Sequence, residues 1–280
     1  MKRFTLAGGA VALAAAIALT ACGGDTGKAS DFPEGSTMAK LAKAGSITIG
    51  TKFDQPLFGL MGPDAVPEGF DVEIGKLVAS KLGIAADKIK WVETVSQNRE
   101  PYIQNGQVDI VIATYTINDK RKEVIDFAGP YYIAGQSFLV PKGNPKGITS
   151  TDTVGDNKFC TVTGSTSEKN IKEFTQNVVT LDKYSDCLEP IRTGEAQALT
   201  TDNVILAGLV AQNPDEFEVV DYTFTKEPYG IGLKKGDNDF RAFINDTLDA
   251  AYKDGSWKKA WEDTAGKVLP TPEPPPVDRY

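Results

Sequence analysis

Two arginines flank one apolar stretch of the chain. Arg99 precedes and Arg121 follows the run "VDIVIAT" (108–114), although the chain has only six arginines against 24 lysines. A guanidinium is planar and can donate two parallel hydrogen bonds to a carboxylate. Two such groups around one predicted strand therefore indicate a site for a small anionic molecule.

Further polar residues follow other predicted strands. Lys52 comes after "SITIG", Ser96 after "IKWVET" and Asp202 after "AQALT". The remaining hydroxyl-bearing candidates in such positions are Thr114, Thr116, Ser165 and Thr166. Each has an ordinary alternative role as a solvated charge or a helix cap; Ser165 and Glu168, for example, form a capping box. Because ligands of open α/β sheets bind beyond the carboxyl ends of strands, the shared position favours one common site.

The residue types match an acidic amino acid. An α-carboxylate requires a guanidinium with hydroxyl or backbone donors, and a second carboxylate requires a second cation. An α-ammonium requires a carboxylate, which Asp202 could supply. A helix opening after Ser165 would add free N–H groups and a positive dipole end.

Composition excludes several classes of function. The chain has no histidine, which rules out His-ligated metal sites, Ser-His-Asp triads and Cys-His dyads. We predict no catalytic residue, no metal site and no cofactor. A net charge of −8 without a basic cluster argues against nucleic-acid binding. A hydrophobic composition of 41% allows the chain to form a large core, and its length of 280 residues suggests two domains.

The N-terminus has the features of a bacterial lipoprotein signal. Lys2 and Arg3 precede an uncharged, largely apolar run that ends at "LTAC" (19–22). This pattern predicts a signal peptide over 1–21, lipidation of Cys22 and a location on the extracytoplasmic face of the cell membrane. A plain signal peptide and an N-terminal membrane anchor are the alternatives.

Two further cysteines remain in the body of the chain. In an exported protein, Cys160 and Cys187 are expected to pair as a disulfide, with two buried free thiols as the alternative. Neither is expected to be catalytic, because the sequence offers no evident base to activate a thiolate.

Strand and helix patterns alternate along the chain and predict two α/β units with helices on both faces of each sheet. The stretch "FDVEIGKLVASKLG" (70–83) predicts an amphipathic helix, "VDIVIAT" a strand buried on both faces, and "DKRKEVIDF" (119–127) a helix. Residues 22–37 are expected to form a flexible tether. Residues 268–280 are Pro-rich and predict an extended tail.

The chain resembles the polar amino-acid family of periplasmic solute-binding proteins that serve bacterial ABC importers, and within it the glutamate/aspartate-binding branch. The resemblance covers about 38–267 and is carried by "GFDVEIGKLVASKLG", "TVSQNREPYIQNGQVDIVIATYTINDKRKEVIDFAGPYY" and "EPYGIGLKKGD". It implies the two-lobed type II fold, with two doubly wound sheets joined by a two-strand hinge. Lobe one would comprise 38–134 and 232–267, and lobe two 135–231.

The resemblance also implies roles for residues around the amino-acid backbone of a ligand. Arg121 would clamp the α-carboxylate, with Thr116 and Thr114 holding the ligand's backbone groups. Asp202 would receive the α-ammonium.

Other roles concern closure and the ligand side chain. Ser165 and Thr166 would close onto the carboxylate from lobe two. Arg99 and Ser96 would meet a side-chain carboxylate, as in the acidic branch. Lys52 stands where that branch can have an arginine, so its role is open.

We therefore expect a lipid-anchored, monomeric binding protein that captures L-glutamate by lobe closure and delivers it to the transmembrane subunits of an ABC permease. L-Aspartate and glutamine are further candidate ligands. One alternative is a dehydratase-like enzyme for small carboxylates on the same scaffold, for which only Asp54, Asp202 or a tyrosine could act as acid or base. A sensory ectodomain is another.

Overall fold

The computed structural model describes Met1 and residues 28–280. The predicted signal peptide and the predicted lipid site at Cys22 lie outside the described residues. The α-helices of the described part are α1 (Thr37–Ala44), α2 (Phe70–Lys81), α3 (Arg99–Gln104), α4 (Asp119–Lys122), α5 (Thr166–Ile171), α6 (Leu188–Arg192), α7 (Asn203–Gln212), α8 (Asn238–Asp254) and α9 (Ser256–Asp263). The strands there are β1 (Ile47–Thr51), β2 (Asp54–Gln55), β3 (Gly59–Met61), β4 (Pro67–Glu68), β5 (Ile89–Glu93), β6 (Ile110–Val111), β7 (Ile125–Ala134), β8 (Gln136–Pro141), β9 (Phe159–Val162), β10 (Val178–Leu181), β11 (Ala198–Asp202), β12 (Phe217–Val219) and β13 (Glu227–Lys234).

Two five-stranded sheets form the centres of two lobes. The first has the order β5-β1-β6-β13-β7 and the second the order β10-β9-β11-β8-β12. Three adjacent strands run parallel in each sheet, β5, β1 and β6 in the first and β10, β9 and β11 in the second. Strand β13 of the first sheet and β8 of the second each pair antiparallel with both neighbours. We call the bodies built on them the first and the second lobe. A small sheet of β2, β3 and β4 lies between β1 and α2.

The chain crosses between the lobes twice. At the first crossing β7 ends at Ala134 and β8 begins at Gln136. The second crossing lies between β12 and β13, because β13 pairs with β7 along its whole length, from Glu227↔Ala134 to Lys234↔Ile125. The predicted lobe boundary at 231/232 therefore falls inside a strand of the first sheet.

Helix α2 forms where its apolar spacing predicted a helix. Phe70, Ile74 and Val78 recur on one face, and all three are fully buried. The chain leaves the helix through Gly83 at φ +75°, a backbone conformation that favours glycine. The helix prediction is confirmed, with the last two residues of the predicted range outside it.

Two other predictions were wrong in extent. The helix predicted over 119–127 ends at Lys122, since Ile125 and Phe127 are buried in β7, where sheet pairing outweighs local helix propensity. The strand predicted over 108–114 keeps ladder pairing only at Ile110–Val111. Thr114 turns away at φ +43°.

Both chain segments predicted as tether and tail pack against the first lobe in the described range. Phe32 meets the Phe243 ring edge-on at 5.5 Å. In the tail, the Asp278 N–H donates to the Gly129 carbonyl at 2.7 Å, and the Tyr280 hydroxyl accepts from the Phe127 N–H at 2.9 Å. The tail thus satisfies backbone groups on β7, the edge strand of the first sheet.

All three tryptophans of the chain belong to the first lobe. Trp91 lies on β5, while Trp257 and Trp261 on α9 are almost fully buried. The Trp257 indole N–H donates to the Tyr131 carbonyl at 3.0 Å, and Trp261 stacks on the Tyr132 ring at 4.9 Å. Both tryptophans of α9 therefore contact the end of β7, just before the chain crosses to the second lobe.

Cys160 and Cys187 form a disulfide, with Cα atoms 5.6 Å apart, as their position in an exported chain favoured. It joins β9 to the turn before α6 inside the second lobe. None of the helices in the described part of the chain has the length and apolarity to cross a membrane.

Candidate functional site

A small cavity lies between the two lobes. Its empty volume is about 220 Å³. The lining residues come from both lobes and are Ser96, Arg99, Thr114, Thr116, Ser165, Thr166, Ser167, Tyr184, Asp202 and Ile205. Of the nine predicted ligand-binding residues, this lining includes all but Lys52 and Arg121. Apart from Ile205, every lining residue has a polar side chain, which suits a small polar molecule.

Arg99 begins α3 beyond the end of β5 and is only 3% exposed. Its Nε donates to the Ser96 carbonyl at 3.2 Å and its Nη1 to the Ala113 carbonyl at 3.2 Å. The guanidinium carbon lies 4.2 Å from the centre of the Tyr115 ring. These contacts fix the guanidinium, while its Nη2 donates to no atom of the described residues.

Arg121 lies beside the cavity, in a neighbouring opening that also includes Gly164 and Ser165. Its Nε is paired with Glu100 at 3.0 Å, and its Nη1 donates to the Thr116 carbonyl at 2.7 Å. Its Nη2 reaches across to the Gly164 carbonyl of the second lobe at 3.3 Å. In this arrangement Arg121 joins the lobes and does not line the cavity.

Asp202 ends β11 and is 4% exposed. Its Oδ2 accepts from the Tyr229 hydroxyl at 2.6 Å, whereas its Oδ1 has no hydrogen-bond partner among the described residues. Burial, and next the charge of Glu227, raise the pKa of Asp202 to about 7. A buried carboxylate oxygen without a donor is costly, and a cation or N–H donor from a ligand would offset that cost.

Lys52 follows β1 and is buried behind the cavity. It is 2% exposed, and its Nζ donates to the Ser96 hydroxyl at 2.9 Å. Burial, and next the positive charge of Arg99, lower the pKa of Lys52 to about 7. The amine thus lies one side chain behind the lining, where it can add positive charge near Arg99.

Hydroxyl groups from both lobes meet across the cavity. The Oγ1 atoms of Thr116 and Thr166 are 3.5 Å apart. Ser165 caps α5, its hydroxyl accepting from the Glu168 N–H at 2.9 Å, while the Glu168 carboxylate accepts from the Gly164 N–H. The predicted capping box therefore forms in a modified way, because the Glu168 carboxylate accepts from the N–H of Gly164, one residue before the capping residue Ser165.

Sequence reasoning missed two residues that shape the site from outside its lining. Asp71, in the first turn of α2, is fully buried; its Oδ2 accepts from the Thr114 N–H at 2.7 Å and its Oδ1 from the Tyr131 hydroxyl at 2.6 Å. It therefore holds Thr114 in its left-handed conformation. Tyr115 lies under both guanidinium groups, 4.2 Å from that of Arg99 and 4.9 Å from that of Arg121. Acidic residues are common in the first turn of a helix, so the sequence gave no reason to assign Asp71 to the site. Tyr115 stands between two predicted site residues, Thr114 and Thr116, and this position could have indicated it.

The lobes contact each other at the rim of the cavity. The Tyr184 N–H of the second lobe donates to Asp54 Oδ2 at 3.0 Å. Gln97 Nε2 donates to Asp182 Oδ1 at 3.1 Å. On α7, Gly208 lies so close to Pro56 of the first lobe that a β-carbon would meet the Pro56 carbonyl. These contacts hold the two lobes against each other at the rim of the cavity.

Comparisons with known proteins agree with this architecture. Residues 47–264 match the bacterial extracellular solute-binding proteins, family 3. The chain is 37% identical over 267 residues to the glutamate-binding protein GluB of Corynebacterium efficiens, covering 91% of this chain and 88% of that protein. It is also 37% identical over 267 residues to the ABC transporter glutamine-binding protein GlnH of Bacillus subtilis, covering 93% and 96%. A crystal structure of the solute receptor for L-cysteine of Neisseria gonorrhoeae matches with a TM-score of 0.78 at 30% identity, covering 83% of this chain and 95% of that one.

Proposed function

Because the chain belongs to family 3 of the bacterial extracellular solute-binding proteins, we propose that it captures L-glutamate between its lobes and delivers it to an ABC permease. It has the type II two-lobed fold predicted for it, shared with structurally characterised amino-acid-binding proteins. Like its close relatives it is a binding protein and not an enzyme, so the dehydratase alternative is set aside. L-Aspartate and glutamine remain second candidates for the ligand.

One observation carries the choice of an amino acid. Arg99 and Asp202 are both buried and line the same small cavity. Within residues 28–280, one guanidinium nitrogen of Arg99 and one carboxylate oxygen of Asp202 have no hydrogen-bond partner. An acidic amino acid offers its side-chain carboxylate to the first and its α-ammonium to the second. Both groups are already removed from water, so each pairing would be stronger than at a surface.

Two neighbouring buried cations support an acidic side chain. Lys52 and Arg99 both contact Ser96, and both are almost fully buried. In our proposal Arg121 clamps the α-carboxylate after releasing one carbonyl, and Arg99 with Lys52 behind it reads the side-chain carboxylate. A neutral glutamine side chain would leave these buried charges less well compensated.

Ligand-driven lobe closure is the proposed mechanism. Contacts such as the Thr116–Thr166 pair require the lobes to be together, and a ligand that contacts both lobes favours the closed state over the open one. Because the cavity is small and lined from both sides, the ligand would enter before closure and be sealed by it.

Membrane anchoring through a lipidated Cys22 and delivery to permease subunits complete the proposal. The first is supported by the "LTAC" stretch after an apolar run. The second is supported by a relative whose name places it in an ABC transporter. Substitution Cys22→Ser should release the protein from membranes; a variant that remains in the membrane fraction would refute the anchor.

A thermal-shift screen against the twenty amino acids tests the ligand. We expect L-glutamate to raise the melting temperature most, because a ligand that binds only the folded state stabilises it by mass action. Isothermal titration calorimetry would then rank glutamate, aspartate and glutamine. If no amino acid shifts the melting temperature, the proposed function is wrong; a larger effect of glutamine would overturn the choice of glutamate alone.

A further inference from the structure

The buried carboxylate of Asp202 is only half satisfied. Its Oδ1 faces no donor among residues 28–280, and Asp202 lines the cavity between the lobes. Helix α7 begins directly after Asp202, but the side chain makes no capping bond to it. The orientation of this carboxylate therefore depends on the partner of its other oxygen.

That partner comes from the other sheet. Tyr229 lies on β13, is fully buried, and donates its hydroxyl to Asp202 Oδ2 at 2.6 Å. Its ring is fixed by Phe58, whose centroid lies 6.2 Å away edge-on, and by Tyr132 at 5.8 Å. A hydroxyl held in place by ring packing is a preorganised donor, and a bond of this length to a carboxylate is charge-assisted.

We propose that Tyr229 is a positioning residue for ligand recognition: by occupying Asp202 Oδ2 it turns Oδ1 toward the cavity and favours the ionised carboxylate that a ligand's ammonium group needs. This inference rests on the proposed function. Tyr229 lies outside the cavity lining, on strand β13, yet it would contribute to the affinity for the ligand.

The charge state of Asp202 reflects several opposing neighbours. The titratable groups that act on it or respond to it are Glu227, Tyr229, Arg99, Arg121, Tyr132 and Tyr184. Burial and Glu227 raise its pKa, whereas the Tyr229 hydroxyl bond and then the two arginines lower it. Removing the hydroxyl therefore raises the pKa of Asp202, and a larger share of the carboxylate is protonated at neutral pH.

The test is the pH dependence of glutamate binding in Tyr229→Phe. Calorimetric titrations from about pH 5 to about pH 9 give the acid limb, the pH range over which affinity falls as Asp202 is protonated. We expect the limb to move to higher pH and the affinity at neutral pH to fall by about tenfold or more relative to the unmodified protein. At alkaline pH the affinities of the two proteins should converge, because Asp202 is then ionised in both. A purely structural role of Tyr229 would lower affinity equally at every pH, and that result would overturn the inference.

Tyr252→Phe is the matched control. It also removes one partly buried tyrosine hydroxyl, which donates to the Pro130 carbonyl at 3.0 Å outside the cavity. Its acid limb should coincide with that of the unmodified protein. A shift of the limb as large as that of Tyr229→Phe would overturn the inference too.

Two further outcomes are distinguishable. If the unmodified protein binds no amino acid, the proposed function has failed before Tyr229 is tested. If Tyr229→Phe does not fold, fluorotyrosine can replace tyrosine throughout the chain; its more acidic hydroxyl is a stronger donor, so the limb should move to lower pH. An unmoved limb in that protein would overturn the inference.

Discussion

The substitution Arg99→Met tests whether the protein distinguishes a carboxylate from an amide in the ligand side chain. Methionine keeps much of the length and apolar stem of arginine but removes the charge and all donors. Arg99 is 3% exposed, and its backbone-carbonyl partners are on Ser96, Ala113 and Thr114. Its Nη2 is the part with no partner among the described residues, and it is therefore the part available to a ligand.

The expected magnitude follows from charge and burial. A carboxylate about 4 Å from a guanidinium gains about 4 kcal/mol at an effective dielectric constant near 20. An amide oxygen accepting a bond from the same group gains about 1.5 kcal/mol. Arg99→Met should therefore cost glutamate about 2–3 kcal/mol more than glutamine, which is roughly a 30- to 150-fold change in the ratio of their dissociation constants.

Lys52 could reduce this difference. The charge of Arg99 is one cause of the lowered pKa of Lys52, so its removal would leave Lys52 more fully protonated at neutral pH. Measuring both ligands near pH 6 avoids this, because Lys52 is then largely protonated in either protein. Partial protonation of Asp202 at that pH affects both ligands alike and cancels in their ratio.

Calorimetric titration of both ligands is the assay, with Arg192→Met as the control. Arg192 is paired with Glu216 at 2.6 Å on the outside of the second lobe, so this variant should leave the ratio unchanged. If Arg99→Met weakens glutamate and glutamine by the same factor, Arg99 does not contact the ligand side chain and our assignment of the acidic ligand is wrong.

Four further predictions concern the clamp, the buried amine, closure and the disulfide. Arg121→Ala should abolish calorimetric binding of every amino-acid ligand; micromolar binding in this variant would contradict its role. Burial lowers the pKa of Lys52 to about 7, and a side-chain carboxylate prefers the protonated amine. Above pH 7 the affinity for glutamate should therefore fall relative to that for glutamine by up to about tenfold per pH unit; equal slopes for the two ligands would exclude Lys52 from recognition of the side chain. Gly208→Ala should weaken ligand binding by obstructing closure against Pro56, although alanine favours helix α7 and should not lower the melting temperature of the ligand-free protein; unchanged affinity would speak against closure. Breaking the Cys160–Cys187 bond, which closes a loop of sequence separation 27, should cost about 3–4 kcal/mol of stability, so a reductant that leaves the melting temperature unchanged would contradict it.

The position of polar residues after strands was the sequence signal that worked best. Ser96, Thr114 and Asp202 come from three different strands, yet all line one cavity. The physical basis is general: the carboxyl ends of parallel strands meet at one edge of a sheet, and here residues at that edge of both sheets line the cavity. Their burial could not be read from the sequence, where Arg99 could equally have been a solvated residue at a helix start.

Residues that act through others were not predictable in this way. Asp71 reaches Thr114 across 43 positions of sequence, and Tyr229 reaches Asp202 across 27. Neither pair shows a local pattern, because each forms only when helix α2 or strand β13 packs into place. The shortened helix α4 has the same origin, since pairing of Ile125 with Lys234 decides its end.

The location of the tryptophans determines which structural changes the intrinsic fluorescence of this protein can report. Trp257 and Trp261 contact Tyr131 and Tyr132 on β7, and neither lines the cavity. The second lobe contains no tryptophan, because the chain's three are Trp91, Trp257 and Trp261. Intrinsic fluorescence during a titration would therefore report repacking at strand β7. A ligand could saturate the protein with little spectral change, so an unchanged emission spectrum would not indicate an empty site.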